Sequence, residues 1–241
     1  MSATQTLLDV PLTLRQIQEF YSNAAPAYDE MTARYEAKPK RLALQRLART
    51  PGEKHLEVAV GTGTSLAELT TQTGPEGVVG IDLSRAMLNL TRRRLAEVGA
   101  KSVPLLLADA RHLPFRDASF DSLFNSYMLD LIPTADLAEV LGEFRRVLKT
   151  GGRLVLANLT EGEGRDSAFS ESWKEGYRAD PAKLGGCRPL LASPFLKSAG
   201  FVRVRRTYCG RGKSWPTEII TARAPRRTPQ ALSGPTRFRG Q

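Results

Sequence analysis

The chain has 241 residues, 41% of them hydrophobic, with a formal net charge of +10. That length and apolar content suffice for one buried α/β core with tails, and no run of about 18 apolar residues offers a membrane span. Two cysteines, Cys187 and Cys209, are too few for a disulfide framework and stand outside metal-ligand spacing, so reduced thiols and no metal are expected. Residues 1–10 lack the basic-then-apolar layout of a secretory signal, and a cytoplasmic protein is the expectation.

Residues 12–48 alternate helical pattern with short breaks. Leu14, Ile17, Phe20 and Tyr21 share one helical face, Pro26 interrupts it, and a second helix carrying Leu42, Leu44 and Leu47 ends at Pro51-Gly52. Leu56, Val58 and Val60 then read as a strand running into Gly61-Thr62-Gly63, where the glycines admit a sharp turn and a ligand lying close to the backbone. Ser65 with Glu68 fits a capping box for a helix over 65–73. A helix N-terminus behind a glycine turn, at the carboxyl end of a parallel strand, is where open α/β sheets bind nucleotide-like ligands.

After a turn at 74–77, Val78-Val79-Gly80-Ile81 gives a second strand ending at Asp82, about 20 residues past the glycine loop. A carboxylate there can accept from both hydroxyls of a ribose, or it can help cap the helix begun by Ser84; the preceding glycine loop favours the ribose. That helix runs from Arg85 to Val98 and stops at Gly99, and a third strand over 103–108 ends at a second acid, Asp109-Ala110. Residues 120–126 form the fourth strand, emerging at Asn125-Ser126-Tyr127. Leu137, Val140, Leu141, Phe144, Val147 and Leu148 then fall at helical spacing and cover the sheet.

A turn at 149–152 leads into the fifth strand over 153–158, after which the alternation stops. Residues 161–189 are rich in Gly, Ser and charge, with Trp173 and Tyr177 inside a short helix. Ser193-Pro194 opens a last helix by cap and first-turn proline, Gly200 ends it, and 201–208 with 218–223 close as a hairpin. Half of the excess charge sits in residues 223–241, which hold five arginines, three prolines and no acid. Such a composition forms no core and reads as a disordered, solvated tail, with peripheral contact to an anionic membrane left open.

The stretch from Leu56 to Thr64 resembles the first motif of class I S-adenosylmethionine-dependent methyltransferases. Ala59 stands in the first glycine place, as in many members of the ubiquinone/menaquinone C-methyltransferase group, which the chain resembles most. The stretch Tyr21-Ser22-Asn23-Ala24-Ala25-Pro26-Ala27-Tyr28-Asp29 is similar to that group's N-terminal signature, and Arg111-His112-Leu113-Pro114-Phe115 matches its habitual continuation after Asp109. The resemblance covers about residues 20–223. It implies a Rossmann-like, doubly wound seven-stranded α/β sheet of order 3-2-1-4-5-7-6 with its last strand antiparallel. A helical lid over 1–50, a methyltransferase domain over 51–223 and a basic tail over 224–241 complete the expected organisation.

The resemblance further implies S-adenosyl-L-methionine as cofactor. Its expected contacts are Tyr21 and Tyr28 of the lid, then Glu57, Ala59, Gly61, Thr62 and Gly63 of the first motif. Asp82, Leu83 and Met87 follow, with Asp82 on the ribose; Asp109 and Ala110 face the adenine, and Asn125 stands where cofactor and acceptor meet. Methyl transfer from a sulfonium is an in-line displacement whose donor is already activated, so a strong base is optional. Tyr28, Tyr127 and Asp130 are candidates by position alone, whereas His55 and His112 have no such claim.

The expected acceptor is a small molecule or a lipophilic, quinone-like compound. No Asn-Pro-Pro-Tyr tetrapeptide follows the fourth strand, which argues against nucleobase amines and leaves nucleic acid an unexpected partner. A catalytically silent SAM-binding partner subunit is an alternative. A nicotinamide dehydrogenase is opposed by Leu66 at the third glycine position and by the lack of a Tyr-x-x-x-Lys pair. The oligomeric state is left open.

Overall fold

Seven strands form one sheet in the order β3-β2-β1-β4-β5-β7-β6 in the computed structural model, which describes residues 8–210 and 215–226. Strand β1 (His55–Val58) lies between parallel partners β2 (Val78–Asp82) and β4 (Phe120–Ser126) and is buried at all four positions. A central parallel strand has helices on both faces, so even its polar residues His55 and Glu57 are enclosed. β3 (Leu105–Leu107) and β5 (Leu148–Leu159) extend the sheet in parallel on either side. β7 (Thr217–Arg223) runs antiparallel to β5 and to the edge strand β6 (Val202–Cys209).

Helices α1 (Leu14–Ala24) and α2 (Tyr28–Leu47) precede the sheet, joined by a 3-10 turn over Ala25–Ala27 that carries Pro26. The start of α1 is fixed by a capping box between Thr13 and Gln16 that the sequence displays but the reading above passed over. Only the first part of α2 stands over the cleft. Its second half packs Leu44 and Leu47 against Phe124 and Val155, so it belongs to the layer covering the sheet. α3 (Thr64–Thr73), α4 (Arg85–Glu97), α5 (Leu137–Val147), α6 (Ser167–Ala179) and α7 (Ser193–Ser198) follow in chain order.

Several local expectations are corrected. No capping box forms at Ser65 and Glu68: α3 begins at Thr64 behind Gly63, and Ser65 is buried with an unpartnered hydroxyl. Ser193 likewise does not cap α7, whose N-cap is Ala192. The third strand is shorter than 103–108. The fifth is longer than 153–158, because the 149–152 turn is absorbed as a bulge opposite Phe120. Ala224, placed in the tail by composition, still exchanges backbone bonds with Gly151 and Gly152. The remaining tail residues from 227 onward lie outside the described residues. Among those described, no helix is long and apolar enough to cross a membrane.

Candidate cofactor and acceptor cleft

The cleft opens at the carboxyl ends of β1, β2 and β4, where the order reverses from β2-β1 to β4. Behind β1, the backbone takes positive φ at Ala59 (58°), Gly61 (55°) and Gly63 (81°), folding the chain back into α3. A Cβ added at Gly61 would meet no protein atom within 4 Å, so this turn leaves open space beside the cavity for a ligand. Gly63 serves packing instead. A Cβ there would stand 2.9 Å from the Thr91 Cα, and only glycine lets α3 and α4 approach this closely. Leu66 occupies the third glycine place and fits because β2 answers with Gly80, where an added Cβ would meet Leu66 at 2.9 Å.

Asp82 borders the cavity but is held from behind. Its Oδ2 accepts from the Gly61 N–H and its Oδ1 from the Ser84 N–H, both at 2.8 Å. Both readings of this residue therefore meet in one carboxylate, which shapes the glycine turn and the start of α4 while facing the cleft. Burial pushes its pKa up against those amide bonds. Asp109 also borders the cavity and pairs with Arg111 at 2.7 Å; burial opposes ionisation there, but the Arg111 bonds win and hold the carboxyl below its usual range. Leu83, Met87 and Ala110 line the wall between these acids.

The lid is tied to this end by contacts that no local motif announces. Gln18 Nε2 donates to the Leu83 carbonyl at 2.9 Å, and the Ser22 and Ser84 hydroxyls meet at 2.9 Å. Asp29 accepts from the Thr62 hydroxyl at 2.6 Å and from Arg94 at 2.5 Å, while Arg94 also donates to the Thr62 carbonyl. Thr62 is thus buried in a clasp between lid, glycine turn and α4, and it does not line the cavity.

Tyr21, Tyr28, Tyr127, Met128, Leu131 and Ile132 form the far end of the cleft. The Tyr28 hydroxyl reaches Glu36 Oε1 at 3.4 Å, and Lys40, which also borders the cavity, lies 2.6 Å from Glu36 Oε2 and 5.6 Å from the Tyr127 ring centre. Desolvation drives the phenols of Tyr21, Tyr28 and Tyr127 well above their ordinary pKa, with neighbouring acids adding to it. Tyr127 takes a positive φ of 51° directly behind β4 and gives its hydroxyl to contact with Thr217 at 2.9 Å. Outside it, Trp215 stacks on Tyr35 with ring centres 4.9 Å apart and meets Tyr127 and Trp173 edge-on.

Three further residues from the sequence reading do not reach the cavity. Glu57 is buried beneath the glycine turn with Oε2 unpartnered, and desolvation lifts its pKa to about 8. Asn125 is also buried, pinning β4 to β1 through a 2.8 Å bond to the Val58 carbonyl. Asp130 turns inward and accepts from the Cys187 thiol at 3.2 Å; burial raises its pKa to about 6. Its side chain is fully enclosed, so it cannot touch an acceptor in the cleft. His55, equally enclosed, bonds Ser122. Conversely, Gln18, Glu36, Lys40 and Trp215 were missed, because only the fold brings α1, α2 and the β6–β7 connection to the ends of β2 and β4.

An aromatic-walled cleft at the switch point of a 3-2-1-4-5-7-6 sheet, with a strand-end acid facing a glycine turn, defines the class I methyltransferase architecture. Residues 56–152 match the family described as a methyltransferase domain. Demethylmenaquinone methyltransferase of Lactococcus lactis is 34% identical over 145 residues, covering 58% of this chain and 57% of that protein. The match thus spans little more than half of that relative's length. The [4+2]-cyclase SpnF shares the fold with a TM-score of 0.70 at 17% identity, over 90% of this chain and 99% of the cyclase. Phosphoethanolamine N-methyltransferase 2 of Haemonchus contortus, in complex with S-adenosyl-L-methionine, gives 0.65 at 16%, over 87% and 60%. Residues 56–152 thus carry a methyltransferase domain on the class I fold, and the cofactor of such a domain is S-adenosyl-L-methionine. The open space at Gly61 fits that ligand.

Proposed function

We propose that this protein methylates a lipophilic, ring-bearing small molecule of the quinone type. The observation that carries this reading is the change of character along one cleft: carboxylates and backbone at the β2 and β3 ends, aromatic and aliphatic walls with one lysine beyond Tyr127. Sequence similarity to a demethylmenaquinone methyltransferase supports the same class of acceptor.

When bound, the cofactor supplies an electrophilic methyl group on a sulfonium, and the displacement then calls for alignment and exclusion of water. The protein's share follows from its side chains. Asp82 and Asp109 hold the polar end of the cofactor, Gly61 leaves room for it, and Tyr21 and Tyr28 close over the cleft. Tyr127 and Met128 set the acceptor ring. A hydroxyl on that ring can hand its proton to Tyr28 as Tyr28 passes its own to Glu36, and the Lys40 ammonium favours the resulting oxyanion.

Turnover of methyl-labelled S-adenosyl-L-methionine tests the proposal, with reduced short-chain demethylmenaquinone set against polar amine acceptors. The expected result is a labelled quinol heavier by one methylene. Methylation of the amines alone would refute the acceptor class, and cofactor binding without turnover on any acceptor would favour the silent-subunit reading. NAD bound more tightly than S-adenosyl-L-methionine would sink the cofactor assignment itself.

A further inference from the structure

A groove of about 330 Å³ lies at the end of the sheet remote from the cleft, lined by Arg46 of α2, Arg153 of β5, Arg203 and Arg205 of β6, and Arg223 of β7. The cleft borders Ser126 and Tyr127, at the carboxyl end of β4, whereas Arg153 pairs with Ser122 near its start. Arg153 and Arg223 are direct cross-strand partners. Like charges so placed destabilise a sheet. The Arg223 guanidinium is held below its ordinary pKa by burial first, then by Arg153 and Arg203.

Acids do little to offset this crowding. Arg153 pairs with Glu53, which also acts on Arg223 from a distance, but among the described residues the hydrogen bonds of Arg46 and Arg223 go to the Thr207 hydroxyl and the Gly151 carbonyl and not to an acid. The side chains of Arg203 and Arg205 have no hydrogen bond or ion pair among the described residues. The backbone is strained at the same place. Arg203 takes a φ of 54° at a bulge where the β6–β7 register shifts between Val202 and Arg205. A non-glycine residue in this conformation is strained, and bulges re-aim side chains. Here the shift leaves both arginines lining the groove.

We propose that this groove is a binding site for a multiply charged phosphate group, either a free oligophosphate or the phosphates of an anionic lipid headgroup. Guanidinium is the cation whose planar donors match phosphate oxygens two at a time. Three adjacent strands spread the groups over about 10 Å, a span suited to linked phosphates rather than one. A bound anion there relieves the repulsion between Arg153, Arg223 and Arg203 without approaching the cofactor.

The test is calorimetric titration of the full chain with sodium tripolyphosphate at low and high salt, beside the double variant Arg203→Gly/Arg205→Ala. Wild type is expected to bind in a salt-sensitive manner, and the double variant to lose on the order of tenfold or more, with S-adenosyl-L-methionine affinity intact. Arg46→Ala, an exposed change on α2, should weaken binding in the same sense and replaces the double variant if that one misfolds. Sedimentation with phosphatidylcholine vesicles, with and without cardiolipin, whose headgroup links two phosphates, separates the two sources. Anionic vesicles that bind and are displaced by tripolyphosphate identify a headgroup site; tripolyphosphate binding without sedimentation identifies a free anion. No binding of either probe, or affinity unchanged in the variants, overturns the proposal and in the second case moves any anion contact to the basic C-terminal segment.

Discussion

Asp82, at the glycine-turn end of the cleft, has both carboxylate oxygens met by backbone N–H groups at 2.8 Å. Glu57 and Asp130, buried beneath and beyond it, each keep an oxygen with no hydrogen-bond partner. In the first carboxylate, backbone amide bonds oppose the upward push of burial while the group lines the cleft. The others are costly to ionise, and desolvation lifts them to about 8 and about 6. The cleft wall thus carries a carboxylate fixed by the backbone, while beneath the glycine turn and beyond Tyr127 lie buried groups whose charge is conditional.

The largest expected effect tests the fixed wall. Gly61→Val places a branched side chain in the open space beside the turn, at a φ that β-branched residues resist, and calorimetry should find cofactor binding abolished. Wild-type affinity in this variant would mean that the ligand does not approach the turn. Glu57→Gln tests the conditional groups through pH. The folded-state pKa of about 8 lies above the ordinary 4.5, so the native protein holds a proton that the unfolded chain releases. Stability should therefore be full below about pH 4.5 and fall as pH rises toward 8. Removing the charge should flatten that decline and stabilise the protein at pH 9 by up to about 5 kcal/mol, read from denaturant melts. An unchanged pH slope would show that Glu57 is already ionised in the native state.

Asp82→Ala should weaken the cofactor by roughly 1.5–3 kcal/mol, the range for hydrogen bonds to a charged group. It should also lower the melting temperature, because the Gly61 and Ser84 amides lose their acceptor. A variant that melts lower yet binds normally would leave Asp82 a purely structural residue. Trp215→Ala removes the ring stacked on Tyr35 at the outer edge of the acceptor end, and the acceptor KM should rise by about tenfold with cofactor Kd unchanged. Equal loss in both constants would place Trp215 in the fold of the whole cleft. The smallest effect is expected at Ala59, whose φ of 58° only glycine adopts without cost. Ala59→Gly should gain about 1 kcal/mol of stability, and a loss would mean that the alanine methyl contributes packing that outweighs the strain.

The contrast between the two regions also explains what was legible in the sequence. Glycine turns, strand-end acids and helix periods are local, so Gly61, Asp82 and Asp109 could be located in chain order, whereas the strand order came with the family resemblance. Gly63 and Thr62 were correctly placed in the turn, but their partners Thr91, Asp29 and Arg94 lie about 30 residues away in either direction, and a motif does not show which neighbour a residue faces. Asn125 and Asp130 stood near the right strand end and turned inward: Asn125 lies inside β4 between two partner strands and bonds the Val58 carbonyl, and Asp130 sits in the turn after β4, enclosed against the Cys187 thiol. The acceptor end draws Lys40, Tyr127 and Trp215 from three separate regions. Only long-range packing could reveal it.

The clasp of Asp29, Thr62 and Arg94 bears on time rather than affinity. It joins the first turn of α2 to the glycine turn and to α4, so the lid cannot swing away while those bonds last. On the proposed placement of the cofactor, opening the path over the cleft and loosening the glycine turn become a single event, whose frequency is set by how often three side chains let go.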